Sequence, residues 1–149
     1  MAANTSPRFS LNGRNSSDGA TAMAPTFTTA AADYTGATAT HNKLVFTAHA
    51  TNGSRIVGLR FKAIGTNTQS VARIFINNGS ANTTASNNSF FDEQVLPATT
   101  AIATTTTVTI DWYAPGGYLD LEAGFRIYVG LGTTVAAGWV VTPILGGDF

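Results

Sequence analysis

From residue 26 onward, apolar and polar residues alternate in short runs, and residues that favour turns separate the runs. Alternation with a period of two places successive side chains on opposite faces of an extended chain, so each run predicts a half-buried β-strand. No apolar stripe with helical spacing persists for three turns, so no long helix is expected. The predicted strands cover residues 43–50, 55–64, 70–77, 89–96, 104–113, 118–121, 125–131 and 135–144, with 26–34 as a candidate first strand.

Eight or nine short strands separated by turns are typical of a sandwich, a jelly roll or a barrel. Of these we expect an all-β jelly-roll β-sandwich of about eight antiparallel strands. A chain of 149 residues has the length of one domain. We therefore expect a jelly-roll domain over residues 26–149. Residues 1–25 are rich in small polar side chains and show neither helical nor strand periodicity, which predicts an extended N-terminal arm.

The first two predicted strands flank the strongest turn signal in the chain. Asn52-Gly53 lies between the alternating runs 43–50 and 55–64, and both residues tolerate the positive φ angles of a tight hairpin turn. The sequence therefore predicts that these runs pair as a hairpin. The side chains expected to face the core are Leu44, Phe46 and Ala48 in the first run and Val57, Leu59 and Phe61 in the second.

Two runs, around residues 71–76 and 139–141, carry apolar side chains on both faces. A strand of this kind either lies between two layers of one chain or covers a contact between subunits. Only 11% of the residues are charged, which leaves little repulsion to keep copies apart. We therefore expect a homo-oligomer, a dimer or a trimer, with purely internal packing as the alternative. The interface residues predicted from these runs are Val71, Phe75, Trp139 and Val141.

Composition narrows the classes of partner. The chain has 8 Lys and Arg residues against 8 Asp and Glu residues, so it lacks the basic excess that drives binding to nucleic acids or anionic membranes. We expect neither partner. Thr, Ser, Asn and Gly supply about four residues in ten, so the surface is expected to be neutral and polar. The first residues do not resemble a secretory signal, and we expect synthesis in the cytoplasm.

Signatures of catalysis and metal binding are weak. The chain has no cysteine, and its two histidines, His41 and His49, lie about 26 Å apart if the strand is extended. Asp92 and Glu93 are adjacent in a predicted strand and therefore point to opposite faces. No nucleophile elbow or phosphate-binding loop occurs. We expect no catalytic residues, no metal and no cofactor, and hence not an enzyme.

Several segments nevertheless resemble a known class of protein. They are Met-Ala-Ala-Asn-Thr-Ser-Pro-Arg-Phe at 1–9, Arg-Ile-Val-Gly-Leu-Arg-Phe-Lys-Ala at 55–63 followed by Gly65-Thr66, Ala-Arg-Ile-Phe-Ile at 72–76 with its Asn-Asn-Gly turn, and the closing Gly-Gly-Asp-Phe at 146–149. This order resembles small structural proteins of tailed bacteriophages. In size and in its neutral, Thr-rich surface the chain is similar to the jelly-roll capsid cement or decoration proteins.

The resemblance implies a non-enzymatic virion structural protein. Proteins of this class sit as dimers or trimers on the outside of the major capsid shell and clamp neighbouring capsomers. The expected partners are therefore the major capsid protein and further copies of the chain, and the expected location is the outer capsid surface of the virion, after synthesis in the host cytoplasm. The arm would contribute part of the grip, with charge-assisted donors from Arg8 and Arg14 and apolar anchors from Phe9 and Leu11.

Two other classes of function remain open. The first is a jelly-roll module associated with a phage tail or fibre that binds carbohydrate or another virion protein. A carbohydrate module would use exposed aromatic side chains, because sugars stack on flat rings. The candidate rings are Tyr113, Tyr118, Tyr128 and Trp139. The second is an enzyme of the sandwich type, which would need two convergent carboxylates, and the strand alternation argues against them.

Overall fold

Alternating inward-facing side chains hold two antiparallel β-sheets face to face. The structure is a computed structural model, and it describes residues 25–31 and 33–148. Two short 3-10 turns, Ala85–Asn87 and Pro115–Gly117, are the helical elements of that part of the chain. The all-β class is therefore confirmed. The strands are β1 (Thr26–Phe27), β2 (Lys43–Thr47), β3 (Ser54–Ala63), β4 (Ser70–Asn77), β5 (Asn88–Leu96), β6 (Thr109–Tyr113), β7 (Leu119–Leu121), β8 (Arg126–Leu131) and β9 (Trp139–Asp148).

The nine strands form one sheet of five and one of four. Sheet I has the order β1-β9-β3-β6, and β7 also lies beside β3. Sheet II has the order β2-β8-β4-β5. Strands β5 and β6 lie at one side of the sandwich, where Trp112 donates to Asp92. Strands β1 and β2 lie at the other side, where the Lys43 ammonium donates to the Thr26 carbonyl.

Four of the strand pairs are nested along the chain. Strand β4 pairs with β5, β3 with β6, β2 with β8, and β1 with β9. This is the pairing of one long hairpin in which β7 is an insertion. Two further pairs, β3 with β9 and β4 with β8, join the halves of that hairpin into the two sheets.

The core lies between the sheets and is formed by large apolar side chains from both. Its largest fully buried members are Trp139, Phe27, Phe61, Ile56, Leu59, Ile74, Leu96 and Ile127. Burying a side chain of this size contributes about 1.5–3 kcal/mol relative to leaving it exposed. At the side where β5 and β6 meet, the Trp112 indole donates a 2.8 Å hydrogen bond to Asp92 and packs edge-on against Phe91. These contacts join the two sheet edges.

The predicted hairpin between residues 43–50 and 55–64 is wrong. Strand β2 lies in sheet II beside β8, whereas β3 lies in sheet I. The Asn52-Gly53 turn does form, since the Gly53 amide donates to the His49 carbonyl and Gly53 has a φ of 77°. It carries the chain from one sheet to the other. Both strands have an apolar face, and their buried residues belong to the same core between the sheets.

Two irregularities change which residues face the core. A register shift between Leu44 and Phe46 in β2 leaves both Val45 and Phe46 buried, although strict alternation assigns them to opposite faces. Strand β3 has similar register shifts between Arg55 and Gly58. As a result Ile56 is buried, whereas the sequence predicts that Val57 faces the core. The run 104–113 is also shorter than predicted, because its strand begins only at Thr109 and Val108 is exposed.

Gly58 allows the close approach of β3 and β6. A Cβ atom at this position would overlap the main-chain carbonyl oxygen of Trp112, and it would also lie 3.1 Å from the Tyr113 Cα. Main-chain atoms in a paired strand cannot move away as a flexible side chain can. A side chain at residue 58 therefore conflicts with the β3–β6 pairing.

We predict that Gly58→Ala lowers the free energy of unfolding by about 1–3 kcal/mol, because the added methyl group overpacks the strand pair. Urea denaturation measures the change. Gly132→Ala is the matched control, since a Cβ there meets its nearest neighbour at 3.5 Å, an ordinary contact. The control should change stability by less than about 0.5 kcal/mol. Equal losses in the two variants would contradict this account of Gly58.

Candidate functional site

The outer face of sheet II is covered by the chain itself. Residues 30–42, of which Ala32 lies outside the described residues, form a covering segment over β4 and β8. Its Ala31 amide donates a 2.7 Å hydrogen bond to the Leu131 carbonyl at the end of β8. A Cβ on Gly36 would lie 2.9 Å from the Phe75 ring, so the segment touches this ring closely. The outward-facing Phe75 is consequently buried without belonging to the core between the sheets.

Asp33 organises the covering segment. One carboxylate oxygen accepts hydrogen bonds from the Thr35 amide at 2.9 Å and the Gly36 amide at 2.8 Å, and the other accepts one from the Thr38 hydroxyl. Burial raises the pKa of this carboxyl, but the hydrogen bonds outweigh burial and the pKa is lowered from its ordinary value of 3.8. The folded segment therefore favours the ionised form of Asp33.

Beside the covering segment, β4 and β5 present a partly apolar surface to solvent. We call it the outer β4–β5 surface, and its members are Tyr34, Val71, Arg73, Phe90, Glu93 and Val95. The Phe90 ring lies 5.4 Å from Tyr34 and 5.6 Å from the buried Phe75. Val71 and Val95 are cross-strand partners. Exposed aromatic and aliphatic side chains thus lie on one face of the strand pair, with Arg73 and Glu93 between the valines and the aromatic rings.

A single ion pair lies in the middle of this surface. Arg73 is mostly buried, and its Nε lies 3.2 Å from a carboxylate oxygen of Glu93. The guanidinium also donates a 3.0 Å hydrogen bond to the Ala31 carbonyl, and the Tyr34 ring stacks on it at 3.9 Å. Arg73 therefore binds the covering segment to the sheet and holds Tyr34 in place.

The four residues predicted for an oligomer interface do not lie together. Phe75, Trp139 and Val141 are buried inside a single chain, Phe75 under the covering segment and the other two in the core. They have no exposed area to contribute to a contact between copies. Val71 is half-buried on the outer β4–β5 surface. The oligomer stays a prediction, and of these four residues Val71 is the one placed to take part in it.

The residues predicted for the capsid-binding arm, Arg8, Phe9, Leu11 and Arg14, lie outside the described residues. Of the four rings considered for carbohydrate, Trp139 is fully buried and Tyr128 is buried on the outer face of sheet II beside Phe75. Tyr113 and Tyr118 are exposed.

The outer face of sheet I is polar. Lys62 on this face donates to the Thr109 hydroxyl, and two arginines are each paired with an aspartate. Arg60 donates two hydrogen bonds to Asp111, at 2.7 and 2.8 Å, across the β3–β6 pair. Arg55 binds Asp120 in the same bidentate way. Hydrogen bonding to the arginine lowers the pKa of each carboxyl below its ordinary value. Asp111 and Asp120 are therefore ionised at neutral pH.

His49 lies at a turn. The His49 ring accepts main-chain hydrogen bonds from Thr51 and Asn52, which places it at the turn before β3. Within residues 25–31 and 33–148, no group of three or more acidic or histidine side chains could hold a metal ion. No helix in the same part of the chain is long and apolar enough to cross a membrane.

Comparisons of the chain with protein-family models, with curated proteins and with solved structures found no match.

Sequence reasoning missed the covering segment and its contacts. Asp33 followed by Thr35 and Gly36 is a local signal for a turn in which a side chain binds the main chain, and it could have been found from the sequence. The contact of Tyr34 with Phe90 joins residues far apart in the chain and carries no such local signal.

We predict that Asp33→Ala lowers the free energy of unfolding by about 1–2 kcal/mol at neutral pH, because four donors, the amides of Thr35 and Gly36 and the hydroxyls of Thr35 and Thr38, lose a charged acceptor. A carboxyl with a lowered folded pKa stabilises the protein above its unfolded pKa. This stabilisation is lost as the pH falls through 3.8 and below. Urea denaturation at several pH values should show a smaller difference between wild type and variant below that pH.

Glu122→Ala is the control for this prediction, because Glu122 is an exposed residue in the loop between β7 and β8. It should leave stability unchanged within about 0.5 kcal/mol. A loss for Asp33→Ala that stays constant down to pH 2 would contradict the role of its charge.

Proposed function

We propose that the chain is a non-enzymatic virion structural protein, a capsid cement or decoration protein that binds the outside of a major capsid shell and bridges neighbouring subunits. The observation that carries the proposal is the outer β4–β5 surface, a partly apolar, solvent-exposed face on two paired strands. The sequence resemblance to phage cement proteins supplies the class of partner.

We also propose that the sandwich is a jelly roll. The nested pairs β4·β5, β3·β6, β2·β8 and β1·β9 support this proposal. A jelly roll arises when one long antiparallel hairpin wraps into two sheets, and eight strands in two Greek keys result. With β7 counted as an insertion, the described residues contain eight strands paired in this nested way, which supports the proposal.

The shape and chemistry of the outer β4–β5 surface suit a large partner. Small-molecule sites are concave, whereas this surface lies on the outer face of paired strands. Val95 is 54% exposed and Tyr34 is 57% exposed, so both have area left to bury. Aromatic side chains and arginine are enriched in the centres of protein interfaces. Tyr34, Phe90 and Arg73 match that composition.

Many weak contacts can hold such a protein on a shell. A capsid repeats the same site many times, and an oligomer that engages several copies at once gains avidity without tight individual contacts. In this proposal the chain forms a dimer or trimer, and the arm residues Arg8, Phe9, Leu11 and Arg14 add a second point of attachment on the shell. Ordering such an arm on binding costs free energy, which multivalent attachment offsets.

We predict that Val95→Lys weakens binding to empty shells of the parent particle about tenfold, since a charge replaces an apolar contact. Co-sedimentation of the full-length chain with the shells measures the binding. Ile102→Lys is the matched control, because Ile102 is also 54% exposed but lies in the loop between β5 and β6. The control should bind like wild type, and both variants should keep the wild-type melting temperature.

Deleting residues 1–15 should also weaken binding to the shells and leave the folded domain intact. Equal binding by wild type and Val95→Lys would contradict the role of the outer β4–β5 surface. Equal binding by wild type and the deletion would contradict the role of the arm. If the full chain binds no shell and is found on the tail, the cement proposal is wrong.

A further inference from the structure

The exposed tyrosines Tyr113 and Tyr118 lie on the outer face of sheet I, which faces away from the outer β4–β5 surface. Strands β6 and β7 follow one another along the same edge of β3, and the turn Pro115–Gly117 connects them. Tyr113 ends β6 and Tyr118 precedes β7. Their side chains are 58% and 49% exposed. We call this region the tyrosine surface.

The turn between the two rings leaves them uncovered. Gly116 and Gly117 have φ angles of 82° and 93°, a backbone conformation that favours glycine. Apart from their chain neighbours, no atom lies within 4 Å of the place where a Cβ would sit on either residue. These two positions of the turn therefore add no side chain between the tyrosines.

A planar ion pair accompanies each tyrosine. The Arg55 guanidinium lies 3.7 Å from the centre of the Tyr118 ring and also binds Asp120 through two hydrogen bonds. The bidentate pair of Arg60 and Asp111 lies on β3 and β6, with Asp111 two residues before Tyr113 on the same face of β6. Each ring thus has both hydrogen-bond donors and acceptors beside it, held in fixed orientations.

This arrangement fits a neutral ligand better than a charged one. Each arginine is already matched by a carboxylate, so the pairs offer no net charge to an anion or a cation. A phosphate or carboxylate would have to displace a bidentate partner that is already in place. A neutral sugar has an apolar face that can stack on a ring, and its hydroxyl groups both donate and accept hydrogen bonds.

We infer that the tyrosine surface binds neutral carbohydrate. The inference goes beyond the proposed function and does not rest on it, because the two surfaces lie on opposite outer faces of the sandwich. A chain attached to a shell by the outer β4–β5 surface would present the tyrosine surface outward. Tyr128 and Trp139 take no part, since both are buried.

The test begins with the full-length chain on an array of neutral oligosaccharides. The best binder is then titrated into the ¹⁵N-labelled chain and followed by NMR. We expect saturable shifts of the amide signals of residues 113–118 and 58–60. Tyr113→Ala and Tyr118→Ala should each weaken binding about fivefold or more, whereas Tyr113→Phe should retain most of it because the ring remains.

Tyr34→Ala is the matched control, because Tyr34 is 57% exposed on the opposite outer face, and it should bind like wild type. Three results would overturn the inference. They are no binding to any neutral glycan on the array, shifts confined to residues outside the tyrosine surface, or equal losses in Tyr34→Ala and the two test variants. Shell binding by Val95→Lys is measured separately, so failure of one proposal does not imply failure of the other.

Discussion

Strand β4 is covered on both faces by its own chain, and the surface offered to a partner depends on this double cover. Ala72 and Ile74 face the core, while Phe75 faces outward under the covering segment. The same segment places Tyr34 on Arg73 and against Phe90. Removing the cover would expose Phe75 and release Tyr34 together. The segment therefore stabilises the fold and shapes the outer β4–β5 surface at once.

The two outer faces of the sandwich differ in chemistry. Sheet II presents aromatic and aliphatic groups around one ion pair, whereas sheet I presents two matched ion pairs beside two tyrosines. Exposed ion pairs contribute little to stability, with a median of about 0–1 kcal/mol. Their main effect here is to fix planar polar groups and to cancel charge. One outer face is thus partly apolar, and the other is polar with two of its arginines paired with carboxylates. Two such faces are suited to contact two different environments.

The sequence predicts the existence of most strands but not their pairing. Alternation locates β4, β5 and β8 to within one residue at each end, because that signal is local. It fails at Val45 and Val57, where register shifts break the period of two. It also cannot reveal pairing between residues far apart in the chain, such as that of β1 with β9, more than 100 residues away. The Asn52-Gly53 signal is local and predicts a hairpin, whereas β2 and β3 lie in different sheets.

The candidate site, like the fold, is predicted by the sequence only where the signal is local. The apolar residues on both faces of β4 do indicate a second covering layer, but the sequence does not identify what covers it. The structure places residues 30–42 there and buries Phe75, Trp139 and Val141 within one chain. The pairing of Arg60 with Asp111 likewise requires knowledge that β3 lies beside β6. Alternation alone predicts that Arg60 and Asp111 both face outward, but it does not predict that they form an ion pair.

Hydrogen exchange of the full-length chain, free and bound to shells of the parent particle, tests the central claim most directly. The account predicts new protection of main-chain amides in residues 33–36, 71–75 and 90–95, and unchanged exchange in residues 111–120. Protection concentrated in residues 111–120, with 71–75 and 90–95 unchanged, would contradict the assignment of the outer β4–β5 surface as the docking face.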